Sequence, residues 1–261
     1  MLSDNSDEKA LSYSLFHLLY QYGTRIAFES NKEVALKSDV SLFDRNRILA
    51  GITTCLDKPN LDETKPFLLV KGDLSGIQGF IYYDIKEDIT QTGGAKKIAK
   101  TLRGRSFYIA LLTQFLAEEI VEHLELTQSN IIFAGGGHFN LVLPNTPIIN
   151  EKLIAIEKKI NLFIRKEVGA SLSLILGKQA CKKSLFDYKE KNESENTAYY
   201  YGKMSHMLEM ARQRKHQNYL TDVFQVKDKK ILEKKVIFKN AVKLGEQIPY
   251  TNCMIEVKLK A

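Results

Sequence analysis

The chain has 261 residues, a formal net charge of +7 and 44% hydrophobic residues, a length that buries one sizeable core as one domain with appendages or as two small domains. It contains no run of about 18 apolar residues, and its polar opening MLSDNSDEKA lacks the basic start and apolar core of a signal peptide, so the sequence predicts no membrane association and a cytoplasmic location. The charge is uneven: residues 1–66 hold 8 Lys and Arg against 10 Asp and Glu, and the basic excess begins after them.

Residues 8–30 place Leu11, Leu15, Leu18 and Leu19 at helical spacing, and residues 41–56 predict a second helix. The segment DKPNLDETKP (57–66) holds two of the five prolines, interrupts both patterns and marks a boundary near residue 60. FLLVKGD (67–73) is a short, nearly continuous apolar run closed by Gly72, as a buried strand requires. Residues 96–124 set Leu102, Tyr108, Leu112, Phe115, Leu116 and Ile120 on one helical face. IIFA (131–134), the triplet Gly135, Gly136 and Gly137, and HFNLVLP (138–144) read as two strands joined by a tight turn, because glycine alone takes positive φ cheaply three times in succession. Residues 150–168 are amphipathic, with Asn150 as the expected N-cap and Gly169 as the stop, and SLSLIL (171–176) alternates as a strand. Residues 198–217 predict a helix with a basic tip, in which Met204, Met207, Leu208 and Met210 are core contacts; residues 251–259 predict a last strand.

The order strand, helix, strand, strand, helix, strand is the split unit of the ferredoxin-like fold, an α+β palm whose antiparallel sheet carries both helices on one face. The expected division is a helical region over 1–60, the palm over 61–178, and a helical connector with a terminal strand over 179–261. Polymerase palms and nucleotidyl cyclases use this unit, but so do RNA-binding and metal-binding modules, so the fold alone decides nothing about function.

Cys55, Cys181 and Cys253 lie far apart with no CxxC pair and no histidine at ligand spacing, which predicts buried free thiols instead of a zinc site or a disulfide. The basic residues gather in Lys96, Lys97, Lys100, Arg103 and Arg105 and again between Arg212 and Lys239. Such patches suit nucleic-acid backbones, nucleotide phosphates or acidic partners, and they equally suit a solvated lysine-rich face.

In an active palm, the loop leaving the first strand and the hairpin between the second and third supply carboxylates for two divalent metals. Here the first loop reads Gly72, Asp73, Leu74, Ser75, Gly76, Ile77, Gln78, with one carboxylate, and the hairpin reads Gly135, Gly136, Gly137, His138, with none. A lone Asp73 cannot hold two metals. The bare N–H groups of Gly135, Gly136 and Gly137, together with Gly76, Ser75 and Gln78, remain suited to a nucleotide. Asp73 serves a nucleotide or an Asx-turn of its own loop, and His138 serves a ribose or phosphate or a structural hydrogen bond. Lys97, Arg103, Arg105 and Ser106, at the entry to the long helix, are candidates to clamp phosphate or RNA, with salt bridges inside the fold as the other reading of the arginines.

The blocks GDLSGIQGFIY (72–82), GAKKIAKTLRGRSFYIALLTQ (94–114) and NIIFAGGGHFNLVLPN (130–145) resemble, in order and spacing, the signature blocks of the first palm in the large subunit of type III CRISPR effector complexes, Csm type, subtype III-A. Residues 11–26 and 39–56 resemble the end of that family's HD-type N-terminal domain, and residues 212–220 and 244–257 resemble its connector. The resemblance implies a complex that binds two ATP molecules between two palms and makes cyclic oligoadenylates when it meets target RNA. The first palm, with Ser75 and Gly135 to Gly137, serves one ATP, and the acids belong to the second palm.

The departures matter equally. The chain has no His-Asp dipeptide, reads Asp44-Arg45 where the family often has Asp-His, and lacks the connector's cysteine-rich knuckle and any Gly-Gly-Asp-Asp hairpin. The second palm would begin about where residue 261 ends. The expectation is a half-site that is inactive alone: ATP as ligand, magnesium only with a separately encoded or missing second palm, and other type III effector subunits, guide RNA and target RNA as partners. The competing expectations are a non-catalytic structural or RNA-binding module that anchors the large subunit, and a homodimer sharing Asp73 from each copy.

Overall fold

The structure, a computed structural model, describes residues 4–28, 40–82, 94–169, 171–186 and 197–214, with the backbone alone at 4–9, 94–97 and 197. Helices α1 (Asp4–Gly23) and α2 (Leu42–Leu56) precede strand β1 (Phe67–Ser75). A short helix α3 (Ile77–Tyr82), the long helix α4 (Gly94–His123) and the hairpin strands β2 (Ile131–Gly135) and β3 (His138–Pro144) follow. Helix α5 (Pro147–Glu167), strand β4 (Ser173–Cys181) and helix α6 (Thr197–Gln213) come last among the described residues.

The strands lie in the order β2-β3-β1-β4 and every neighbouring pair is antiparallel. With α4 joining β1 to β2 and α5 joining β3 to β4, this is the ferredoxin-like palm expected from the sequence. Alternation along each strand decides what each face buries. Leu68, Val70 and Leu74 of β1, Leu141 and Leu143 of β3 and Leu174 of β4 join Leu116 and Ile120 of α4 and Leu153 and Ile160 of α5 in the main core. Full burial of each such aliphatic side chain stabilises the fold by about 1.5–3 kcal/mol.

Phe67, Leu69, Val142 and Cys181 point the other way, onto Cys55 of α2 and Tyr200 and Met204 of α6. The flanking helices therefore form a third layer on the face that the palm helices leave free. Buried Asn130 fastens α2 there: its Nδ2 donates to the carbonyls of Gly51 (3.1 Å) and Val142 (2.9 Å), and its Oδ1 accepts from the Thr127 N–H (3.1 Å). The approach is close enough that a Cβ on Gly51 would sit 2.6 Å from the Ser129 carbonyl oxygen.

An edge strand invites further pairing unless its free N–H groups are met. On β4 two of them are met from α5: Asn161 accepts from the Leu174 N–H (2.7 Å) and donates to its carbonyl (2.8 Å), and Glu157 accepts from the Leu176 N–H (3.1 Å). Burial pushes the Glu157 carboxyl above its ordinary pKa, opposed by that N–H and by the charge of Lys178.

Several local expectations are corrected. Helix α5 is capped by Thr146, whose Oγ1 accepts from the Ile149 N–H (3.2 Å), because Pro147 already has the φ of a first helical residue. Asn150 lies inside the first turn and donates to Asn145 Oδ1. Strand β4 runs from Ser173 to Cys181, where the alternation predicts 171–176. On α6 the buried stripe is Tyr200, Met204 and Leu208, so Met207 and Met210 are exposed, and Phe115 on α4 is exposed as well.

Cys55 and Cys181 are buried free thiols, each pushed up to about 12 by burial. Cys253, the last strand at 251–259 and the basic tract beyond Arg214 lie outside the described residues. No helix of the described residues is long and apolar enough to cross a membrane.

Candidate functional site

Strand β1 ends in the residues singled out by the sequence. Asp73 lies opposite His138 of β3 on one side and Ile175 of β4 on the other, and Ser75 lies opposite Ser173. Because Leu74 and Phe139 belong to the main core, Asp73, Ser75, His138 and Ser173 project to the opposite face. Lys71 and Asn140, paired one step down the same ladder, share that face.

Two glycine turns frame this end of the sheet. Gly76 has φ +95°, and a Cβ there would sit 1.8 Å from the Ser171 carbonyl oxygen, so only glycine lets the chain leave β1 and enter α3, where Gln78 is exposed. In the hairpin, Gly136 (φ +62°) and Gly137 (φ +90°) form a two-residue turn of the kind that needs positive φ at both positions. Gly135 is a strand residue, which corrects the expectation of three successive positive φ values. The Leu74 N–H donates to the Gly137 carbonyl (2.8 Å) and ties the hairpin to β1. A Cβ on Gly137 would lie 2.1 Å from Ile77 Cδ1, whereas at Gly136 the nearest atom is His138 Cε1 at 3.7 Å, so Gly136 keeps an open backbone. The His138 ring rests against Phe133, with centroids 5.4 Å apart.

The Asp73 side chain, 18% exposed, forms an ion pair in place of an Asx-turn. Arg212 of α6 places Nη2 3.1 Å and Nε 3.3 Å from Asp73 Oδ2, and its Nη1 3.2 Å from Glu209 Oε2. Hydrogen bonding and charge from Asp73 raise the guanidinium pKa further. Asp73 is the single acid in β1, β2 and β3, and among the described residues no group of three or more His, Cys, Asp or Glu side chains is placed to hold a metal. The residues present do not fit a two-metal centre.

The second candidate group sits on α4, across the sheet from Asp73. Arg105 Nη1 donates to the Ile81 carbonyl (2.8 Å), closing the end of α3, while Arg103 and Ser106 are exposed. Helix α4 passes the hairpin at Ile109, whose Cγ2 lies 3.8 Å from where a Gly137 Cβ would be. The Lys97 side chain lies outside the described residues. The glycine-framed polar residues and the basic helix start thus flank the hairpin from opposite faces.

Three side chains near Asp73 escaped the sequence reading of the site. Ser173 Oγ and Asn140 Oδ1 are buried with no hydrogen-bond partner among the described residues. Arg212 continues the four-residue stripe of Tyr200, Met204 and Leu208, so a charged residue recurring at an apolar period was the available signal.

Residues 66–229 match the family described as Csm1 subunit domain B. A relative from Enterococcus italicus, "CRISPR system single-strand-specific deoxyribonuclease Cas10/Csm1 (subtype III-A)", is 33% identical over 164 residues, covering 55% of this chain and 20% of its own length. The solved Csm1-Csm4 cassette in complex with one ATP is similar at 26% identity and a TM-score of 0.60, over 77% of this chain and 26% of that one. The cassette in complex with cA4 matches at 26% identity and a TM-score of 0.61 with the same coverage. The matched part of the chain spans about a fifth of the length of the curated relatives it matches.

Proposed function

The chain belongs to the Csm1 family of type III-A CRISPR effector subunits, and from that premise we propose that it is a palm that binds ATP but lacks a catalytic centre of its own. The nucleotide sits at the end of β1, against Asp73, Ser75, Gly76 and Gln78 and the hairpin of Gly135, Gly136, Gly137 and His138. The observation that carries this reading is the open backbone at Gly136 beside the paired Asp73 and His138. Bare N–H groups in a positive-φ turn approach an anion closely, and a neighbouring hydroxyl and amide supply direction.

Similar Csm1-Csm4 cassettes hold ATP and cA4, which supports adenosine nucleotides as the ligand class. The missing acids are the contribution of a second palm, which brings the magnesium, so this chain supplies a half-site for cyclic oligoadenylate synthesis in antiviral defence. Lys97, Arg103, Arg105 and Ser106 belong to the basic flank of α4, which faces RNA or a companion subunit of the Csm4 kind in the cytoplasm. Isothermal titration of the chain with ATP tests the site: saturable binding that weakens in Ser75→Ala is expected, and no binding to the wild type overturns the reading.

A further inference from the structure

Resting on the nucleotide reading above, we infer that Arg212 is a positioning residue of the same site: its guanidinium neutralises Asp73 and makes this end of the sheet tolerant of a polyphosphate. The problem it solves is electrostatic. A carboxylate only 18% exposed stands two residues before Ser75 on the same strand face and directly across from His138, where a triphosphate carries several negative charges. An unscreened pair of like charges at such range in a partly buried site opposes binding.

The geometry is specific to that role. Arg212 Nε and Nη2 converge on a single oxygen, Asp73 Oδ2, at 3.3 and 3.1 Å. Oδ1 stays outside the pair and can accept a hydrogen bond from an adenine amino group or a ribose hydroxyl. The guanidinium is also held in place from behind. Arg212 follows Tyr200, Met204 and Leu208 at four-residue intervals, and these three side chains are buried under the sheet. A Cβ on Gly177 of β4 would lie 2.8 Å from Leu208 Cγ, so α6 is seated too closely for Arg212 to drift along the strand. The contact of Nη1 with Glu209, on an exposed acid three residues away, is a surface pair of small energy and does not compete with Asp73.

The test is a double-mutant cycle on ATP affinity, measured by calorimetry on the full chain, with thermal unfolding to verify that each variant folds. Arg212→Ala weakens binding by about tenfold, Arg212→Lys retains most of the affinity, and Asp73→Asn combined with Arg212→Ala recovers to within about threefold of wild type. A helix anchor without an electrostatic role gives a double variant as weak as Arg212→Ala, and that result overturns the inference, as does unchanged affinity in Arg212→Ala. If wild type binds no ATP, the nucleotide reading itself fails and this inference falls with it. Binding in wild type without recovery in the double variant removes the inference alone.

Discussion

Asp73 and His138 are direct cross-strand partners, brought together by the antiparallel register of β1 and β3 at the point where one strand ends and the other begins. Far apart in sequence, the two loops they close form one polar edge. The Leu74 N–H to Gly137 carbonyl bond holds that edge shut at 2.8 Å.

The two hairpin glycines should respond unequally to substitution. Gly137→Ala combines left-handed backbone with a Cβ 2.1 Å from Ile77 Cδ1 and is expected to destabilise the fold by about 2–3 kcal/mol. Gly136→Ala meets nothing closer than 3.7 Å and should cost about 1 kcal/mol, from the backbone alone. Urea unfolding of both variants checks the order, and equal losses would contradict the turn geometry.

Asn130 holds α2 against the sheet through a buried amide, so Asn130→Ala strands the Thr127 N–H and removes the amide's bonds to the Gly51 and Val142 carbonyls. The expected loss is about 3 kcal/mol in chemical denaturation. Hydrogen exchange should show the loss concentrated in α2.

Glu157 makes stability depend on pH in a definite sense. Its folded pKa lies above the ordinary value of 4.5, so the folded state holds the proton more tightly than the unfolded state. The associated stability is complete below 4.5 and is lost as pH rises through the raised folded value. Glu157→Gln keeps an acceptor for the Leu176 N–H without the charge, so it should remove this fall and raise stability near neutral pH relative to wild type. Denaturation curves for both proteins across that window test it; parallel profiles would count against a half-buried Glu157 with a raised pKa.

The palm was legible because its strands and helices carry distinct hydrophobic periods and its glycine blocks break them cleanly. Gly72 illustrates the limit of that reading. Next to Asp73 it looks like part of the loop, yet a Cβ there would sit 2.0 Å from the Phe139 ring, so it makes room in the core. Arg105 likewise makes a contact that its sequence neighbours do not announce, closing α3 through the Ile81 carbonyl. Thr146 caps α5 ahead of the point where the amphipathic pattern starts, and the pairing of Arg212 with Asp73 depends on how α6 docks, which no local pattern encodes.

On the proposed reading, this sheet edge receives an adenosine nucleotide yet needs acids from elsewhere for chemistry. The decisive measurement incubates the chain with ATP and magnesium, alone and with a second palm carrying a Gly-Gly-Asp-Asp hairpin, and resolves the products by mass spectrometry. Cyclic oligoadenylates are expected only in the mixture and should vanish with Gly136→Trp in this chain. Product from the chain alone, or an undiminished yield with Gly136→Trp, would contradict the account.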